Sequence, residues 1–352
     1  MQRILRAVLC VSLLAVIAGC QQKNESATSA TESSSKAPVG KVEKAVANAV
    51  SSGAPAAAAN SGPPADGILE PARAETEAPS GQPPKLTIGS TGAEPRMALR
   101  ANKPSLPRAL KIEVTLQGGD QGLPPIEMAL SLESKAAAAK APDDAAAPSK
   151  AATAIARIRD IKVMMPNAPA EFVAQLSGLK ASKVTFSLTQ EGAGYGFTGE
   201  LSANAKPELR DLLDTVIEGL SLLTLPVPHE KVGTGAFWMV ASRDKSAGFG
   251  LVSYHMVKLS RADDKTAEFE FDSRRYAIGR LVDPALLPPG ASNVSLKEFS
   301  AGVKGHSRLS FDSAMPTALD AQAMLRGALS SGEGAPGQTV QSGTSYRITV
   351  SK

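Results

Sequence analysis

Cys20 is the residue of this chain best suited to covalent chemistry, because a cysteine thiolate is a strong nucleophile. It directly follows Ile17-Ala18-Gly19. The only other cysteine, Cys10, lies in the same N-terminal segment. Nothing downstream can therefore form a disulfide, a cysteine metal site or a thiol nucleophile. The three histidines, His229, His255 and His306, show no i,i+2 or i,i+4 pairing and no HExxH, so no metal site is expected. Ser177 with Lys180 and Ser242 with Lys245 fit S-x-x-K, but the S-D-N and K-T-G partners of that chemistry are missing. No G-x-S-x-G elbow occurs, and no carboxylate pair stands out. Gly194 to Gly199 fits G-x-G-x-x-G literally. Tyr195 and Phe197 interleave with its glycines, so it reads as a bent strand and not as a dinucleotide loop. Arg274, Arg275 and Arg280 form a small basic cluster, read as a solvated rim that could touch anionic groups. No catalytic residue and no cofactor are expected, and the protein is read as a non-enzyme.

The residues before Cys20 say what its chemistry is for. Arg3 and Arg6 make a positive start, and Ala7 to Ala18 make an apolar run too short to span a bilayer. With Ile17-Ala18-Gly19-Cys20 they resemble a bacterial lipoprotein signal peptide. The resemblance implies removal of residues 1–19, a diacylglycerol thioether on Cys20 and palmitate-like acylation of the new amine. Several acyl chains give stable anchoring, at about 0.8 kcal/mol per buried methylene. Gln21 and Gln22 follow, where an Asp at the second mature position would resemble an inner-membrane retention signal. The expected location is the cell envelope, lipid-anchored, with the outer membrane favoured and either of its faces open.

Composition narrows the partners. The formal charge is +4, and losing Arg3 and Arg6 brings it within two charges of neutral. Aromatic residues are only 4% of the chain. Neither feature suits nucleic-acid binding. Residues 20–105 are rich in Ala, Ser, Pro and Gly, too poor in large apolar residues to offset ordering entropy, and are expected to be a disordered tether. As a flexible coil it would span about 50 Å r.m.s.. Val42 to Val50 has helical spacing but is short for an isolated helix. A second low-complexity stretch, 135–153, reads as a surface loop decorating one hairpin.

The remaining segment, 106–352, is expected to be the β-rich globular domain. Ile112, Val114 and Leu116 alternate, as do Ile126, Met128, Leu130 and Leu132, then Val184, Phe186 and Leu188, then Tyr195 and Phe197. Later sets are Phe237 with Met239, Val252 with Tyr254 and Met256, Phe269 with Phe271, Leu309 with Phe311, and Tyr346, Ile348 and Val350. Such short-spaced alternation predicts an antiparallel meander. Helical spacing is read at Pro169 to Leu179, at Pro207 to Leu223 and at Thr317 to Leu329. The fold class is α+β, mainly β: either one strongly curved half-barrel or two β halves, packed on the central helix.

Pro226-Val227-Pro228 followed by Val232-Gly233-Thr234-Gly235-Ala236-Phe237-Trp238 resembles an uncharacterised group of secreted bacterial β-meander lipoproteins with a V-G-x-G-A-x-W turn. The match runs from about Pro207 to Asp272, plus Thr344 to Val350. The half-barrel also looks like those of periplasmic lipoprotein carriers and mycobacterial lipid-carrier lipoproteins, an analogy of fold alone. On that analogy the apolar stripe Leu212, Leu213, Val216, Ile217 and Leu220 is the candidate lining for a lipid or other hydrophobic ligand. The alternative is a structural module that binds another envelope protein.

Overall fold

The computed structural model describes residues 63–100, 105–118, 121–135, 151–246, 248–282, 294–330 and 338–351. Cys20, the expected signal peptide and Val42–Val50 lie outside the described residues, as do 136–150 of the low-complexity loop.

The alternation written into the sequence becomes one open, mainly antiparallel sheet. Its strands are β1 (Ile68–Leu69), β2 (Lys85–Ser90), β3 (Ala109–Gly118), β4 (Gln121–Gly122), β5 (Ile126–Lys135), β6 (Ala152–Val163), β7 (Lys183–Leu188) and β8 (Gly194–Glu200). After a central helix come β9 (Phe237–Ser246), β10 (Phe249–Ala262), β11 (Thr266–Ile278), β12 (Ser295–Ser310), β13 (Ala318–Ser330) and β14 (Gln338–Ser351). The spatial order is β2-β9-β10-β11-β12-β13-β14-β3-β5-β6-β7-β8. Two β halves are therefore fused edge to edge, with β14 pairing β13 on one side and β3 on the other.

Three α-helices serve this sheet: α1 (Pro71–Glu77), α2 (Ala170–Ser177) and α3 (Arg210–Leu223), the last preceded by a 3-10 turn at Pro207–Leu209. Helix α3 touches β8 and β9, near the two ends of the strand order, and β13 and β14 in its middle. A sheet that meets one helix at both ends and the centre must curl around it. The inward side chains, among them Ile112, Met128, Phe186, Trp238, Phe271 and Ile348, form one core with the α3 stripe. The α3 stripe is the strongest helical signal of the chain, and it ends where Thr224 Oγ1 donates to the Leu220 carbonyl at 2.9 Å before Leu225-Pro226.

Two expectations need correction. Thr317–Leu329 is not a helix: Ala318–Ser330 is strand β13, with Leu319, Ala321, Ala323, Leu325 and Gly327 turned inward and Asp320, Gln322, Met324 and Arg326 outward. Alanine is small enough to serve as an inward strand residue between larger neighbours, and counting it as a helix former hid a clean period of two. The tether expected over 20–105 ends too late. Residues 63–100 are part of the fold, supplying β1, α1 and the edge strand β2. Their few apolar residues are diluted in any composition window, yet Leu69, Ala74 and Ala78 close a cluster on the outer face with Met239, Val252, Tyr254 and Tyr276.

β1 acts as a wedge. Ala277 N donates to the Gly67 carbonyl at 3.0 Å, Gly279 N to the Leu69 carbonyl at 2.8 Å, and Phe299 N to the Asp66 carbonyl at 2.8 Å. The segment thus bridges β11 and the start of β12 after their own pairing stops at Arg275–Ala301. Gly67 has φ +71, and a Cβ there would lie 1.7 Å from the Phe299 carbonyl oxygen, so only glycine fits.

Candidate functional site

The second half of the sheet hides charge in its core. On β9, Trp238, Val240, Ser242, Asp244 and Ser246 share the inward parity; on β10, Leu251, Ser253, His255 and Val257; on β11, Phe269, Phe271, Ser273 and Arg275. Register sets Ser253 beside both Ser242 and Arg275, and His255 beside Ser273. Helix α3 adds Glu218 and Ser221, one turn apart and facing the same strands.

The contacts form two neighbouring groups, linked by the charge of Arg275 acting on Asp244. Asp244 Oδ1 accepts from Ser221 Oγ at 2.9 Å and Oδ2 from Ser242 Oγ at 3.0 Å. His255 Nε2 lies 3.1 Å from Ser242 Oγ and 3.6 Å from Asp244 Oδ2, while Nδ1 lies 2.6 Å from Ser273 Oγ. Glu218 Oε2 accepts from Ser246 Oγ at 2.8 Å, and Oε1 pairs with the buried Arg275 guanidinium. Burial pushes the Asp244 carboxyl upward, but the hydrogen bond and charge of His255 and the charge of Arg275 outweigh it, holding Asp244 well below the usual carboxylate range. Burial likewise opposes the Arg275 charge, and Glu218 and Asp244 more than offset it, so its pKa stands above the ordinary value. The Tyr346 hydroxyl is pushed far up, first by burial and then by Glu218.

Serine, histidine and aspartate in contact invite comparison with a nucleophilic triad, and the geometry departs from one. In a triad the carboxylate holds the imidazole nitrogen remote from the serine. Here Ser242 and Asp244 both sit at Nε2, and Nδ1 faces a second serine. His255, Ser242 and Ser273 are all buried. What the layer does is clamp α3 to β9–β11. It also lies at the boundary between the main core and a smaller one built on Leu251, Ala277, Phe299, Leu325 and Leu329.

The sites read from the sequence fall as follows. Leu212, Leu213, Val216 and Leu220 are buried in the main core, and Ile217 is half-buried against it. Their packing is tight. A Cβ on Gly199 of β8 would lie 3.0 Å from Leu213 and 3.1 Å from Ile217, and one on Gly219 would lie 3.2 Å from Tyr346. Leu212 lines a cleft of about 10 Å³, which it shares with Leu116, Leu123, Ile126, Phe172, Leu176, Glu208 and Leu209. That volume is room for about one water. The two S-x-x-K matches are not assembled: Ser177 is exposed and donates to Ala174 O, and Ser242 faces inward while Lys245 is exposed. The arginine cluster is dispersed, because alternation sends Arg275 inward and Arg274 outward, and Arg280 pairs with Asp66. Gly194–Gly199 is strand β8; Gly194 lies so close to Thr224 that a Cβ would come within 2.2 Å of its hydroxyl. Trp238 is core, its Nε1 donating to the Pro226 carbonyl at 3.1 Å. Among the described residues no acidic, His or Cys cluster could hold a metal ion.

No known family model matches this chain. No curated protein matches it significantly either. Arg100 lies half-buried under the β7–β8 turn, donating to the Ser313 carbonyl at 3.0 Å. Burial lowers its pKa to about 10, against the opposing pull of Glu191. Glu191 in turn pairs with the exposed His229 at 2.6 Å.

The buried layer was missed in the sequence because its signal sits on the other parity. In β9 and β10 the outward sets Phe237/Met239 and Val252/Tyr254/Met256 are apolar, covered in part by α1, and drew attention from the inward residues one position away. The pattern Trp238-x-Val240-x-Ser242-x-Asp244 could have disclosed it: a strand face that changes from apolar to polar partway along.

Proposed function

We propose that the chain is a non-enzymatic envelope lipoprotein, anchored through acylated Cys20, whose domain works outside the bilayer as a rigid scaffold offered to a partner. The observation that carries this reading is the closed α3–sheet interface. The stripe that would line a cargo cavity is instead packed to contact at Gly199 and Gly219 and pinned by the Glu218–Arg275 and Ser221–Asp244 contacts. A work of transport needs an interior that opens, and these contacts favour one that stays shut. The outward face of β12–β14 supports a place in water: Lys304, His306, Arg308, Asp320, Gln322 and Arg347 are exposed there, and charged residues facing hydrocarbon cost up to about 2–4 kcal/mol each. Among the described residues no helix is long and apolar enough to cross a membrane. The buried Ser-His-Asp contacts are read as structural because the carboxylate and serine share one imidazole nitrogen. Hydrophobic contact moves, on this reading, from the α3 stripe to the surface cleft beside α2.

Two measurements on protein purified from its own host test the proposal. The intact mass of the mature chain is expected to begin at Cys20 and carry acyl groups, lost together with membrane association in Cys20→Ala. Native mass spectrometry is expected to show the protein without a stoichiometric non-covalent lipid. A lipid released only on denaturation would overturn the scaffold reading in favour of a carrier.

A further inference from the structure

We propose that the surface around α2 docks on the bilayer to which Cys20 is attached, inserting Met164, Met165 and Val173 among the lipids. The inference rests on the anchored-lipoprotein reading. These three side chains are 50%, 40% and 40% exposed, and they fall within ten residues of one another in the β6–α2 connection and in α2 itself. Met164 N donates to the Pro125 carbonyl at 2.8 Å, next in the chain to Ile126, and Phe172, next to Val173, lines with Ile126 and Leu209 an apolar cleft. The exposed residues thus adjoin in the chain Val163 and Phe172, which pack against the core.

Lipid is the occupant that the chain itself brings near. About 40 residues join Cys20 to the first described residue, and a chain of that length reaches on the order of 140 Å at full extension. A domain of this size is on the order of 50 Å across. Any face, including this one, can therefore turn to the bilayer without releasing the anchor. Nearby charge is balanced, with Lys162 and Lys206 against Glu171 and Glu208. The contact therefore draws on apolar insertion and needs no anionic headgroup. Unbranched methionines suit such a surface because they adapt to irregular surroundings.

The test uses the full lipidated chain in uncharged phosphatidylcholine and phosphatidylethanolamine vesicles. With Cys20 acylated on sulfur, a new cysteine is the sole free thiol. An environment-sensitive fluorophore is placed by Met164→Cys, and in a second sample by Met324→Cys on the outward face of β13. Iodide quenching several-fold weaker at position 164 than at 324, unaffected by salt and abolished by Val173→Asp with unchanged thermal unfolding, supports docking. Equal quenching at both positions overturns it. Protection that rises with protein-to-lipid ratio means that a second copy covers the patch, and also overturns it. Intact mass read on the same sample separates the two claims. An acylated chain with equal quenching refutes docking alone, whereas an unacylated chain refutes the anchor and docking with it.

Discussion

Arg275→Met should unfold this domain more readily than any exposed substitution, and its size follows from what the arginine leaves behind. The guanidinium faces Glu218 directly and lowers the pKa of Asp244, and all three are nearly inaccessible to solvent. Removing one partner of a buried pair costs about 3–5 kcal/mol, chiefly through the charge left unpaired. Glu218 keeps the Ser246 hydroxyl at 2.8 Å and Asp244 keeps two serines, which argues for the lower end, about 3 kcal/mol. For a domain of this size that lowers Tm by about 6–12 °C. Replacing both partners, Glu218→Leu with Arg275→Met, should recover most of the loss, because an apolar pair of similar volume carries no desolvation cost. The assay is urea unfolding at pH 7 followed through Trp238. The pH dependence gives a second reading. Asp244 has a folded pKa below its unfolded value of about 3.9, so its contribution is complete above that value and lost as pH falls through the folded one. Arg275→Met removes one cause of the depression, so the variant should fail in acid at a higher pH than the parent. A single variant within about 1 kcal/mol of the parent, or a double variant worse than the single, would refute the reasoning.

Other outcomes follow from particular contacts. Gly67→Ala forces a Cβ onto the Phe299 carbonyl at a positive φ, at a cost of about 1–3 kcal/mol; hydrogen exchange should quicken at the Ala277, Gly279 and Phe299 amides, which donate to the wedge. Trp238→Phe leaves the Pro226 carbonyl without its indole donor and should cost about 1–3 kcal/mol by denaturant titration. Gly192→Ala places a Cβ 2.0 Å from the Arg100 guanidinium at a φ of +74, and should lower Tm, whereas a methyl at exposed Gly81 meets no neighbour and is limited to its φ of +71.

Strand alternation was legible wherever one face was apolar and the other polar, as in β3, β5 and β7, and the α3 stripe was legible because leucines repeat on it. The mainly β class and the central helix followed. Whether the halves joined was not, since local sequence says nothing of the long-range pairing of β14 with β3. β13 was misread because alanine serves helix and strand alike, and β9–β11 were half-read because both of their faces are covered. The ionic layer could not be assembled from sequence: Glu218 and Arg275 are far apart in the chain, and only the register of β10 against β11 and the seat of α3 bring them together. The resemblance of Ile17 to Cys20 to a lipoprotein signal rests on consecutive residues, and these lie outside the described ones.

The position of β14 has a consequence for how the molecule holds together. Residues 109–200 and 237–330 each form a run of neighbouring strands, but no bond of the sheet joins the two runs until the last strand lies between β13 and β3. Among the described strands β14 comes last in the chain. A chain lacking β14 would therefore present two bare strand edges, at β3 and β13, to any protease or neighbouring chain.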